Sequence, residues 1–89
     1  MSYHVVFSQS GKKDLKKLDQ YTQIILVKWI RNNLEGCEDP RVHGKALSAN
    51  RKGQWRYRVG DYRILVVIHD NIITIEVVAI GHRRNVYDS

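Results

Sequence analysis

Residues 55–80 read WRYRVGDYRILVVIHDNIITIEVVAI, and their spacing decides the fold. Trp55, Tyr57 and Val59 alternate with Arg56 and Arg58. A strand here carries bulky side chains on one face and two guanidiniums on the other. Gly60-Asp61 supplies a turn, and Tyr62 to His69 forms a second strand. In that strand Arg63, Leu65 and Val67 face one way, and Tyr62, Ile64, Val66 and Ile68 the other. Both faces are apolar in the middle, as expected of a central strand covered on one side by helices. Asp70-Asn71 makes another turn and Ile72 to Ile80 completes a meander, after which Gly81 lets the chain turn outward.

Working back toward the N-terminus, Tyr3 to Phe7 is a short β-branched and aromatic run that reads as a strand. Ser8 or Ser10 is placed to cap a helix, with Asp14 expected near its first turn. Leu15 and Leu18 give that helix an apolar edge, while Lys12, Lys13, Lys16 and Lys17 point elsewhere. A second helix is predicted over Tyr21 to Leu34. Ile24, Val27, Ile30 and Leu34 set its apolar stripe, widened by Leu26 and Trp29. A joint at Asp19-Gln20 makes the two an αα-hairpin. From Gly36 to Gly53 the chain reads as a long loop in which Ala46-Leu47 dips into the core. The expected class is α+β: one domain over residues 1–89, its N-terminal strand and αα-hairpin packed on one face of a small, mainly antiparallel twisted sheet.

Bulk properties narrow the function. At 89 residues and 43% hydrophobic the chain suits one globular domain and not a disordered segment. His69, Asp70, Asn71 and Glu76 interrupt its longest apolar region, so a membrane span is not expected. The N-terminal residues show no basic leader followed by an apolar stretch, and Cys37 is a single cysteine; both suit a cytoplasmic protein. The four histidines and Cys37 show no compact ligand spacing, so neither a metal nor another cofactor is expected. Fifteen Lys and Arg against nine Asp and Glu leave a net charge of +6, which favours a polyanion or an acidic partner.

Several segments carry that charge toward one place. Arg56, Arg58 and Arg63 gather around one hairpin, while His82, Arg83 and Arg84 follow the last strand, with Tyr87 just beyond. Lys45, Arg51 and Lys52 lie on the long loop. Arginine forks suit phosphate, and tyrosine can stack on a base. Cleavage of RNA needs a base for the 2′-hydroxyl, cations for the phosphoryl oxygens and an acid for the leaving oxygen. His82 is the residue type that exchanges protons near neutrality, and Tyr87 is a second candidate. His4 reads as structural, His69 as a turn neighbour, and His43 as a surface residue of the loop. Trp29 and Trp55 read as core.

The order of a first strand, a helical hairpin, GKAL at 44–47, GDYR at 60–63 and GHRRNVY at 81–87 resembles the RelE branch of the RelE/ParE toxin superfamily. The resemblance covers essentially the whole chain. It implies a metal-independent endoribonuclease that enters the ribosomal A site and cuts mRNA, held silent by a cognate antitoxin through which the complex binds operator DNA. It gives catalytic positions to Arg56, Arg58, Arg63, His82, Arg83 and Tyr87, and RNA contact to Lys45, Arg51, Lys52 and Arg84. Arg63 and Arg83 would hold phosphate, and Tyr87 would stack on a base. The family pattern has lysines where this chain has Arg56 and Arg58, and arginine surrenders a proton badly. Proton transfer then falls to His82 or Tyr87, or in part to the ribosome and RNA. Two other readings stand beside it: a ParE-like toxin that poisons DNA gyrase, and a basic binding module retained in a toxin–antitoxin complex.

Overall fold

The computed structural model describes residues 2–47 and 53–82. Strand β1 (His4–Phe7) passes straight into helix α1 (Gln9–Lys16), because the Ser8 hydroxyl accepts the Gly11 N–H at 3.0 Å and caps the helix. Asp19 likewise caps helix α2 (Gln20–Asn33), accepting the Thr22 N–H at 3.0 Å and its hydroxyl at 2.6 Å. Four more strands follow: β2 (Lys45–Ala46), β3 (Gln54–Val59), β4 (Tyr62–His69) and β5 (Thr74–His82). They join β1 in one sheet of order β1-β5-β4-β3-β2. β1 runs parallel to β5 and every other pair is antiparallel. The fold is α+β, with both helices on one face of a mainly antiparallel sheet.

The core lies between α2 and that face. Leu26, Ile30 and Leu34 recur every fourth residue and meet Tyr57, Ile64, Val66, Ile68, Ile75, Val77 and Ile80. The stripe is therefore centred on Leu26 and not on Ile24, which is 58% exposed. Leu15 and Leu18 pack against its margin, as their spacing predicts. Ala46 does not dip into the core. It is exposed on β2, and Pro40 is the buried residue of that region. The turn after β4 is a 3₁₀ turn, Asp70–Ile72, closed by Ile73 in the left-handed region at φ 42°, so β5 begins at Thr74. At its other end β5 does not turn at Gly81; it stays paired through His82.

Helix α1 is joined to β5 at a defect in the ladder. Leu65 pairs with Ala79 and Val66 with Val77, which leaves Val78 as an extra residue in a β-bulge. Groups around the bulge are met by the helix: the Ser10 hydroxyl donates to the Val78 carbonyl at 2.7 Å, and the Ile80 N–H donates to Asp14 Oδ2 at 3.0 Å. The Ser8 N–H donates to the Val77 carbonyl at 2.9 Å. Asp14 sits beyond the first turn, where it serves the strand and not the helix dipole. This approach requires glycine at position 11, because a Cβ there would lie 2.2 Å from the Val77 oxygen.

Gly11→Ala is expected to lower the unfolding free energy by about 1–3 kcal/mol, the cost of forcing a carbon into a filled site. Alanine's better helix propensity offsets about 1 kcal/mol at most. A lowered urea midpoint with unchanged slope is the readout.

Candidate functional site

Strand register places the cations. Arg58 lies directly opposite Arg63, and Lys45 directly opposite Arg56. Tyr57 is buried against the helices, so the alternation of β3 sends Arg56 and Arg58 to the open face. Residues opposite each other share a face, and Lys45 and Arg63 therefore join them. Four cations from three strands thus lie together, Lys45 and Arg58 exposed, Arg56 and Arg63 half-buried. Gly81 is the residue opposite Arg63 on β5 and puts no side chain beside its guanidinium. Like charges facing each other across strands weaken a sheet.

A cavity of about 420 Å³ opens at the end of this cluster, lined by Trp29, His43, Gly44, Lys45, Tyr57 and the three arginines 56, 58 and 63. One wall is cationic and the other is aromatic. The loop that closes it is firmly held. Arg41 makes a two-pronged ion pair with Asp70, both contacts at 3.0 Å, and its guanidinium lies 5.9 Å from the Trp55 ring centroid. Tyr3 donates its hydroxyl to Asp70 Oδ1 at 2.7 Å. The bonds from Arg41, and next that from Tyr3, hold the Asp70 carboxyl below the usual carboxylate range. The Trp55 indole donates to the His43 carbonyl at 2.6 Å, and the buried Tyr57 hydroxyl donates to the Pro40 carbonyl at 2.7 Å. Burial pushes the Tyr57 phenol well above its ordinary range, so it stays protonated as a donor. Gly44, at φ 78°, presses the loop onto β3; a Cβ there would lie 2.1 Å from the Arg56 carbonyl oxygen.

Of the residues singled out from sequence, Lys45, Arg56, Arg58 and Arg63 come together. His82 does not join them. It lies opposite Tyr62, on the helix-facing side of the sheet, with the two rings in an edge contact at 5.6 Å. The bulge at Val78 is the reason: it reverses the alternation of β5, so that Ile80 and His82 face the helices where an unbroken strand would aim them at Arg63. Arg51, Lys52, Arg83, Arg84 and Tyr87 lie outside the described residues. Two other histidines hold carboxylates, His4 on Glu35 at 3.0 Å and His69 on Glu76 at 3.1 Å. Among the described residues no group of three or more His, Cys, Asp or Glu could hold a metal ion, and no helix is long and apolar enough to cross a membrane. His43 is exposed and Trp29 packs against the core, as read from the sequence; their rings meet edge-on at 5.9 Å. No periodic pattern marks His43; Trp55 and the Arg41–Asp70 pair, 12 and 29 residues apart in sequence, bring its loop here.

Residues 5–87 match the family model of the ParE toxin of type II toxin–antitoxin systems, parDE. The chain belongs to this toxin family. Within the RelE/ParE superfamily it is RelE-type. Toxin RelG of Mycobacterium tuberculosis is 30% identical over 87 residues, 98% of each chain. Toxin RelE of the same organism is 28% identical over 85 residues, covering 96% of this chain and 86% of that one. The toxin–antitoxin complex RelBE2 from M. tuberculosis superposes with a TM-score of 0.81 at 29% identity, over 93% of this chain and 100% of that one. The isolated Escherichia coli RelE toxin shares the fold at a TM-score of 0.71 and 18% identity, over 91% and 84% of the two chains.

Two outcomes follow for this RelE-type toxin. Arg58→Thr should raise the unfolding free energy by about 0.2–1 kcal/mol in dilute buffer by relieving the repulsion with Arg63. That gain should shrink as salt is added, which paired denaturation curves at low and high salt will read. Asp70 has a folded pKa below its unfolded one, so its stabilisation is present at neutral pH and is lost as pH falls through the folded value. Asp70→Asn should therefore be less stable than the parent at pH 7, with the gap closing in acid below about pH 4.

Proposed function

We propose that this toxin is a metal-independent endoribonuclease that works on the ribosome, cutting mRNA in the A site, and that a cognate antitoxin silences it in the cytoplasm. The observation that carries this reading is the opposed cation pairs, Lys45 with Arg56 and Arg58 with Arg63. A phosphodiester between such pairs would accept hydrogen bonds from cations of neighbouring strands at once. In this reading Arg56, Arg58 and Arg63 grip the scissile phosphate and stabilise charge developing on its oxygens. Arg83 adds a phosphate contact and Tyr87 stacks on a base, with Lys45, Arg51, Lys52 and Arg84 contacting flanking RNA. Support comes from the relatives named toxin RelE and toxin RelG, and from the likeness to RelBE2, a toxin–antitoxin complex. The same complex supports the antitoxin as partner, and operator DNA would be bound through it.

A second reading, gyrase poisoning, is favoured by the ParE name of the matching family. One experiment separates them. Purified protein is incubated with programmed ribosomes, free mRNA, or gyrase and plasmid, and mRNA 5′ ends and DNA breaks are mapped. Cleavage on ribosomes only, slowed about 10²–10³-fold by Arg63→Ala, is the expected result. Intact mRNA with gyrase-dependent DNA breaks would overturn the nuclease reading.

A further inference from the structure

If phosphate is gripped by arginines, those arginines do not also accept the proton, because guanidinium stays protonated. β3 carries no lysine. His82 is turned to the helix side of the sheet. His69 holds Glu76 and His4 holds Glu35. Of the four histidines His43 remains, and it lines the same cavity as Arg56, Arg58 and Arg63.

We propose that His43 is the proton-transferring residue of this toxin. The inference rests on the endoribonuclease reading and deepens it. Three observations carry it. First, His43 is exposed, yet its backbone is fixed, since its carbonyl accepts the Trp55 indole at 2.6 Å and Gly44 is wedged against β3. Second, the ring is braced edge-on by Trp29 at 5.9 Å, and Trp29 in turn leans on Tyr57 at 5.6 Å. Third, the charged groups among the described residues that line the cavity with it are cations: Lys45 from its own loop, Arg56 and Arg58 from β3 and Arg63 from β4. From α2 the lining residue is the uncharged Trp29, and no carboxylate is among the described lining residues. Among the described lining residues His43 thus carries the side-chain type that accepts a proton readily near neutrality, and it stands beside the arginines proposed to hold phosphate.

The step is a transesterification. His43 accepts the proton of the ribose 2′-hydroxyl, and the 2′-oxygen forms a bond to phosphorus as the bond to the 5′-oxygen breaks. The electron pair leaves with the 5′-oxygen, which takes a proton from water. The imidazolium then returns its proton to the hydroxide so formed. The products are a 2′,3′-cyclic phosphate and a 5′-hydroxyl end, and no metal or redox partner enters the balance.

The test measures single-turnover cleavage on programmed ribosomes from pH 5 to 8 for the parent, His43→Gln and His82→Gln, with ribosome co-sedimentation and thermal melts alongside. For His43→Gln the expected result is a rate lower by about 10²–10⁴-fold, with ribosome binding retained and the pH dependence flattened. A uniform fall that keeps the parent's pH profile assigns His43 a structural role and overturns the proposal. So does a loss of rate and pH dependence that follows His82→Gln instead. If the parent cuts and His43→Gln cuts equally well, this inference fails while the nuclease reading stands. If the parent leaves ribosome-bound mRNA intact, the nuclease reading fails and takes this inference with it.

Discussion

Helix α1 lies so close on β5 that only glycine fits at position 11, and its first polar side chains bond the strand where the strand bulges. The bulge would otherwise leave a carbonyl and an amide without their ladder partners, a cost that the Ser10 hydroxyl and the Asp14 carboxylate remove. Because Val78 is the extra residue, side chains before it and after it keep different alternation. Ile75 and Val77 face the helices, and so do Ile80 and His82. One contact between a helix and a strand thereby decides which face every residue at the end of β5 occupies.

The open face sets like charges opposite one another. A sheet chosen for stability alone would not set Arg58 against Arg63 and Lys45 against Arg56. The surroundings compensate in place: Tyr57 is wholly buried behind the arginines, and the loop over it is held by the Arg41–Asp70 ion pair and two aromatic donors. That ion pair is half exposed, so solvent screens it and its larger contribution is geometric. It ties the loop to the turn between β4 and β5, and so carries His43 and Lys45 to the arginines.

Much of this was legible along the chain because it depends on periods of two and of nearly four residues. The alternation of 55–59 and 62–69 located β3, β4 and the face bearing Arg56 and Arg58, a serine at 8 or 10 marked the first helix start, and the joint at Asp19-Gln20 separated the two helices. Where the reading slipped, a tertiary contact overrode a local pattern. Ile24 belongs to an apolar stripe by spacing, but α2 is rotated to bring Leu26, Ile30 and Leu34 onto the sheet, and Ile24 is left in solvent. Ala46 pairs with Trp55 at the sheet edge, where a two-residue strand has too little sequence to announce itself.

The sequence by itself determined the class of fold and the placement of Arg56 and Arg58 on one face, which rest on short-range spacing, and the family resemblance, which rests on the order of motifs along the chain. The register that sets Arg63 on the same face belongs to the tertiary structure. Tertiary structure decided which histidine meets those arginines. His82 is adjacent to the cationic run in sequence, yet a bulge carries no composition signal and turns its ring to the other side. His43 stands in a loop with no periodicity, and ion pairing, indole hydrogen bonding and a wedged glycine bring it to the cavity. Those bonds join residues distant along the chain, and only folding brings them into contact.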